Sequence, residues 1–333
     1  MNKKGKHAQK RKIKINFKIF ITRIIILLMI IGSVIYFITK NKAGTHNQEN
    51  DKQAQESIET SAQDISIEEA KDNEEKIIEE TIDTEVEQLI NKIQSDNYLD
   101  ESNFYFFYYN MDKKKYYFYN ENAYFTAAST IKVPVAMLYY DKINEGKLNL
   151  SDTIVYKSGD YEAGDGSTAA NYSVGDSIPI SYLLEQTIVN SDNTALNILV
   201  HNLGYRQCKE EITKYTDIEL SDEFYTSNIA NAEYYYDVLQ YLYQNTDRYS
   251  QLIDYMKKSS GGAYLKENLP QYDVAHKYGS YDGYVHDYGI IYGQDTYLIG
   301  VFTKGISEAS DLIAHIGEQV VECVENEKTD EIV

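Results

Sequence analysis

The chain has 333 residues, 33 Tyr, no Trp, six His, two Cys and a net charge of −20. Residues 1–42 hold eleven Lys or Arg and no acid, a segment of +11 that leaves −31 for the remainder. So acidic a body argues against nucleic acid or anionic lipid as a partner of the folded part, and two cysteines are too few for a disulfide scaffold.

Taken in order, residues 1–18 read as a basic cytoplasmic tail. Residues 19–39 form an apolar run of 21, broken by Arg23; at about 1.5 Å per residue it spans about 30 Å, the thickness of a bilayer core. It reads as an uncleaved single-pass anchor in the cell membrane, its basic flank in the cytoplasm and the bulk of the chain outside. A cleaved signal peptide is the competing reading, but the run is long and no small-x-small site follows it closely. Residues 40–81 are acidic and polar and read as a flexible linker. Residues 82–326 suffice for one folded unit, with 327–333 as a tail.

Within that unit, Ile82, Val86, Leu89, Ile90 and Ile93 form a helical stripe. Phe104–Tyr109 and Tyr116–Tyr119, aromatic and separated by a polar turn, predict a β-hairpin. Helices are expected over 129–144, 180–189, 194–203, 205–214, 229–243 and 249–257, with a polar excursion at 157–176. Strands return at 274–278, 287–292 and 296–303, and a helix follows over 310–326. The expected class is α+β: an antiparallel five-stranded sheet built from both ends of the domain, flanked by helices, with an inserted all-helical lobe.

Three short motifs carry chemistry. Ser129 and Lys132 stand three apart, so on a helix they share one face. A serine needs a neighbour to take its proton, and a lysine can do so where burial or a second cation eases its own deprotonation. The plain alternative is a helix-capping serine beside a solvated lysine. Ser191-Asp192-Asn193 lies between two helices and reads equally as a run of cap-competent residues; the same triplet at 95–97 reads as a polar turn. Lys277-Tyr278-Gly279 ends a strand. Lys277 could be the second cation, Gly279 could allow close approach of a substrate, and the N–H of Ser280 could join that of Ser129 in holding an oxyanion.

In order and spacing, these motifs resemble the class A β-lactamases and penicillin-binding serine enzymes. Ser191 follows Ser129 by 62 residues and Lys277 follows Ser191 by 86, and Val189–Val200 is similar to the family beyond the triplet. The resemblance covers about residues 84–326. It implies Ser129 as acylated nucleophile, Lys132 as base or relay, and Ser191 as proton donor to the leaving nitrogen. It further implies Asn193 on the substrate's side-chain amide, Lys277 on its carboxylate and Ser280 in the oxyanion site.

Two departures stand out. Only 11 residues, 216–226, are available for the loop that carries the deacylating glutamate in the family's hydrolytic members, and Glu223 is the nearest candidate. Tyr278 stands where a small hydroxyl is common. The implied activity is a membrane-anchored serine hydrolase acting on β-lactams. A D,D-peptidase-like or penicillin-binding enzyme that acts on peptidoglycan peptide and deacylates slowly is the close alternative, and a non-catalytic surface binding or sensing module the distant one. No cofactor and no metal site is expected, a monomer is expected, and His276 and His286 read as structural. Cys208 and Cys323 could pair in an exported chain.

Overall fold

The computed structural model describes residues 79–330, without residue 165 and residues 260–263 and without the side chains of 327–330. The expected tail, anchor and most of the linker lie outside the described residues. Among the described residues no helix is long and apolar enough to cross a membrane.

The run Phe104-Tyr105-Phe106-Phe107-Tyr108-Tyr109 is aromatic at every position, so as a strand it has no face suited to water. It forms β2 (Phe104–Asn110), buried along its whole length. Successive residues point to opposite sides of a strand. Phe104, Phe106 and Tyr108 therefore join one hydrophobic cluster, and Tyr105, Phe107 and Tyr109 the other. The turn to β3 (Lys115–Tyr119) is closed by Asn110, whose side chain accepts from the N–H groups of Asp112 and Lys113. The strands then pair with Phe106 opposite Tyr119.

From the far end of the unit come β8 (Asp273–Tyr281), β9 (Tyr284–Tyr292) and β10 (Thr296–Lys304), and β10 pairs with β2. A sixth strand corrects the five-stranded expectation. This β1 (Thr81–Ile82) pairs in parallel with β3, so the sheet is mixed, in the order β1-β3-β2-β10-β9-β8. Two residues are too few to show a period, and Ile82 fits the helical stripe equally well. The helix itself, α1 (Thr84–Asn97), starts where the Asp83 carboxylate caps the N–H of Val86. β8 and β9 are also longer than expected, because Asp282 (φ 48°) and Gly283 (φ 78°) make a two-residue hairpin turn that suits the strand twist.

The segment between β3 and β8 holds the inserted lobe, and it is not all-helical. Its helices are α2 (Lys132–Asn144), α3 (Thr168–Asn171), α4 (Ile180–Val189), α5 (Asn193–Leu203), α6 (Tyr205–Glu211), α7 (Ala232–Gln244) and α8 (Thr246–Lys257). Two small antiparallel pairs interrupt them. One joins β5 (Thr153–Val155) to β6 (Ser177–Pro179), the other β4 (Phe125–Thr126) to β7 (Ile229–Ala230). The last helix, α9 (Ala309–Asp330), continues past 326, where a tail was expected. Its Ile313, Ile316 and Val320 cover one sheet face with Val86 and Ile90 of α1, while Tyr235, Tyr236 and Leu239 of α7 cover the other. Tyrosines fill this core: Tyr235 and Phe302 stack at 5.4 Å, and the Tyr139 hydroxyl donates to Leu199 O.

Candidate active site

α2 is buried on all sides from Lys132 to Asp141, which holds its first turn rigidly between sheet and lobe. Ahead of it, residues Ala128–Ile131 form one 3-10 turn, and no side chain caps either helix start. Ser129 therefore does not serve as a cap. Its neighbour Ala128 has φ 49°, a left-handed conformation that costs a residue with a Cβ about 1–3 kcal/mol and must be held by its surroundings.

The holders are visible. Asn228 O accepts from Ala127 N at 2.9 Å, and the Asn228 side chain donates to Ala128 O at 3.1 Å. The Tyr288 hydroxyl donates to Thr130 O. His286 accepts from Thr303 N at Nδ1 and donates from Nε2 to Thr126 O at 2.8 Å, so burial holds it neutral, with its pKa down at about 4. His276 faces Asp287, 2.7 Å away, on the other side of β8. His286 thus has both ring nitrogens engaged by backbone groups.

The three motifs meet here. Lys132 Nζ lies 2.9 Å from Ser129 Oγ, 2.6 Å from Ser191 O, 2.7 Å from Asn193 Oδ1 and 3.1 Å from Ser191 Oγ. Lys277, fully buried, donates to Ser191 Oγ at 3.1 Å and to Tyr278 O at 2.9 Å. The hydroxyl between the two amines is thus Ser191 and not Ser129, so the second cation reaches Lys132 through Ser191. Ser191 has φ 53°, which turns both its carbonyl and its hydroxyl toward Lys132. Asp192 alone does the capping: it accepts from Ala195 N with one oxygen and from Thr168 N with the other.

Gly279 lies against the backbone of the nucleophile's turn. A Cβ there would stand 2.8 Å from Ser129 N and 3.0 Å from Thr130 N. Its missing side chain lets β8 close on the nucleophile's own backbone. Ser280, next along, is exposed and lines the cavity in front of Ser129. Tyr278 does not line that cavity. Its ring is buried, stacked on Tyr264 at 5.0 Å, with the Lys277 ammonium 4.0 Å from its centre.

That cavity, of about 430 Å³, is lined by Ser129, Lys132, Asn193 and Ser280 from the motifs. Glu223 is not among its lining residues. Phe224 is fully buried and pins the turn Asp222–Tyr225, which leaves the Glu223 side chain exposed. The carboxylate that does line the cavity is Glu162, from the polar excursion. Its backbone is bracketed by the Thr194 hydroxyl, and its Oε2 accepts from Asn197 at 2.9 Å. Lys209 of α6 lines the cavity too. Sequence spacing carries no signal for either, since the nearest motif residue is far along the chain from both.

The sequence matches the β-lactamase enzyme family over residues 85–324. The chain belongs to that family. No curated protein matches it. Among solved structures it is similar to PBP-A, at 20% identity, covering 74% of this chain and 98% of that one with a TM-score of 0.65. An acyl-enzyme complex of a PBP-A variant with penicillin G gives the same identity, coverage and score. A β-lactamase from Sphaerobacter thermophilus follows at 20% identity, 73% and 97% coverage and a TM-score of 0.62. Identities this low speak for the fold. Among the described residues no group of His, Cys, Asp and Glu could hold a metal. Cys208 and Cys323 form no disulfide; Cys208 packs in the lobe's cluster, and Cys323 lies on α9 across the sheet.

Proposed function

We propose that this β-lactamase-family chain is a serine hydrolase that opens β-lactams through an ester on Ser129. The observation that carries the reading is the arrangement around Lys132 Nζ. Its two nearest neighbours, Ser191 O and Asn193 Oδ1, can only accept. A neutral amine has two N–H bonds for those two acceptors and a lone pair left for the Ser129 proton, 2.9 Å away. Lys132 then takes that proton as Ser129 Oγ attacks the lactam carbonyl. The C–N bond breaks, and Ser191, in contact with both Lys132 and Lys277, passes a proton to the departing nitrogen. The N–H groups of Ser129 and Ser280 hold the developing oxyanion, and Asn193 meets the side-chain amide. Among the lining residues Glu162 is the one carboxylate available to orient the deacylating water. The penicillin G complex of the PBP-A variant is an acyl-enzyme of a related fold, which supports the chemistry.

Incubation with penicillin G followed by intact-mass measurement tests this: one covalent adduct is expected, absent in Ser129→Ala. No adduct on folded protein would end the reading. A chromogenic cephalosporin then separates repeated turnover from a single burst, the latter being the slow-deacylating outcome. The basic and apolar start of the sequence supports a tether that holds the enzyme outside the cell membrane; recovery of the full-length chain in the soluble fraction would remove that part.

A further inference from the structure

Lys277 is fully buried and is not among the residues that line the cavity in front of Ser129. Its ammonium donates to Ser191 Oγ at 3.1 Å and to Tyr278 O at 2.9 Å, and stands 4.0 Å from the centre of the Tyr278 ring. Successive residues leave a strand on opposite faces, and β8 is the outermost strand of the sheet, so lysine and ring meet around its outer edge. A ring face attracts an ammonium and at the same time keeps an anion from that side of it.

The ring is itself held. It stacks on Tyr264 at 5.0 Å, and the backbone there is tied down: Tyr264 N donates to Ser310 O at 3.1 Å, and Leu265 N to the buried Asp287 carboxylate at 3.1 Å. Asp287 stands opposite Tyr278 in the register of β8 and β9, so the cover and its support belong to one packed unit.

A carboxylate on the carbon next to the leaving nitrogen would stand beside Ser191, the proton donor, and so at the Lys277 end of the cavity. Lys277 is covered there, Lys132 is engaged with Ser129, Ser191 and Asn193, and the Lys209 ammonium is buried against Phe224. The Glu162 carboxylate lines the same cavity and repels a second acid.

We propose that Tyr278 sets the specificity on the leaving side: by covering Lys277 it favours acyl donors with an uncharged ester or amide, and not a carboxylate, next to the leaving nitrogen. This rests on Ser129 acylation for its place in the reaction. Tyr278 is a positioning residue that acts through Lys277, and Lys277 keeps its contact with Ser191.

The test compares penicillin G with its methyl ester. Ser129 acylation is followed by intact mass in the native chain, Tyr278→Phe and Tyr278→Ser, each rate divided by the compound's own rate of hydrolysis by hydroxide. In the native chain and in Tyr278→Phe, which keeps the ring, the ester should react at least as fast as the acid. In Tyr278→Ser, which uncovers Lys277, the acid should gain about tenfold on the ester, and the gain should shrink as sodium chloride is raised. An acid that reacts faster than the ester in the native chain would overturn the proposal, and so would a Tyr278→Ser ratio equal to the native one. Should Tyr278→Ser not fold, the native comparison decides. Calorimetric binding to Ser129→Ala does not need acylation: penicillin G should bind no tighter than its ester, and tighter binding of the acid would overturn the leaving-side specificity. Absence of any adduct with both compounds would instead remove the acylation reading and leave the specificity to the binding result.

Discussion

Asp141 and Lys209 are both buried charges of the lobe, and their surroundings are opposite. Asp141, on α2, accepts from the Tyr215 and Tyr249 hydroxyls at 2.8 and 2.6 Å and pairs with Lys214 at 2.6 Å and Arg248 at 3.3 Å. Lys209, on α6, has no hydrogen-bond acceptor among the described residues. The acid fastens α2 to the turn after α6 and to α8. The base contributes nothing comparable to the fold and lines the cavity in front of Ser129. A charge completed by its own chain adds to stability, and one left without an acceptor subtracts from it.

The contrast breaks most readily at Asp141. Asp141→Ala leaves two phenols and two cations without their acceptor, and should cost about 2–4 kcal/mol in urea unfolding. Lys209→Met should do the reverse, stabilising the fold by about 1–3 kcal/mol at pH 7 because a penalised charge is removed. The folded pKa of Lys209, about 8, lies below its ordinary 10.5. Its penalty is therefore complete below about 8 and gone above 10.5, and the gain from Lys209→Met should shrink over that interval. A constant gain across pH would mean that packing, and not charge, is responsible.

Asp141 titrates in the other sense. Although burial opposes it, bonds from Lys214, Tyr249 and Tyr215 hold its carboxyl below the usual 3.8. Its contribution is present above 3.8 and lost as pH falls through the lower folded value. The native chain should thus lose stability on acidification faster than Asp141→Asn, in paired thermal melts. The last effect is steric: Gly279→Ala forces β8 off the Ser129 backbone, at about 1–3 kcal/mol. Acylation should slow by more than that loss of stability explains if the approach positions the nucleophile.

Much of this was legible beforehand, for identifiable reasons. The helix over Ile180–Val189 was readable to the residue, because its apolar spacing starts just after Pro179. The aromatic hairpin followed from composition and one polar turn. The length of β8 and β9 is also carried by the sequence, since Asp282-Gly283 is a strong hairpin signal that lies beyond the expected strand ends at 278 and 287. β1 was not readable: two residues have no period, and only β3 beside them makes them a strand.

The order of the motif segments, the alternation that buries β2 on both faces and the periodic helices all reside in neighbouring residues. Local rules reach one turn of helix or one strand pair, so a linear reading suffices for them. Which charges gather at the cavity is another matter. Glu162, Lys209 and the placing of Ser191 between the two lysines depend on contacts between segments dozens of residues apart. The left-handed Ala128 and Ser191 persist because Asn228, Tyr288, Lys132 and Lys277 hold that region from elsewhere in the chain. No local preference favours those two conformations, so packing alone decided them.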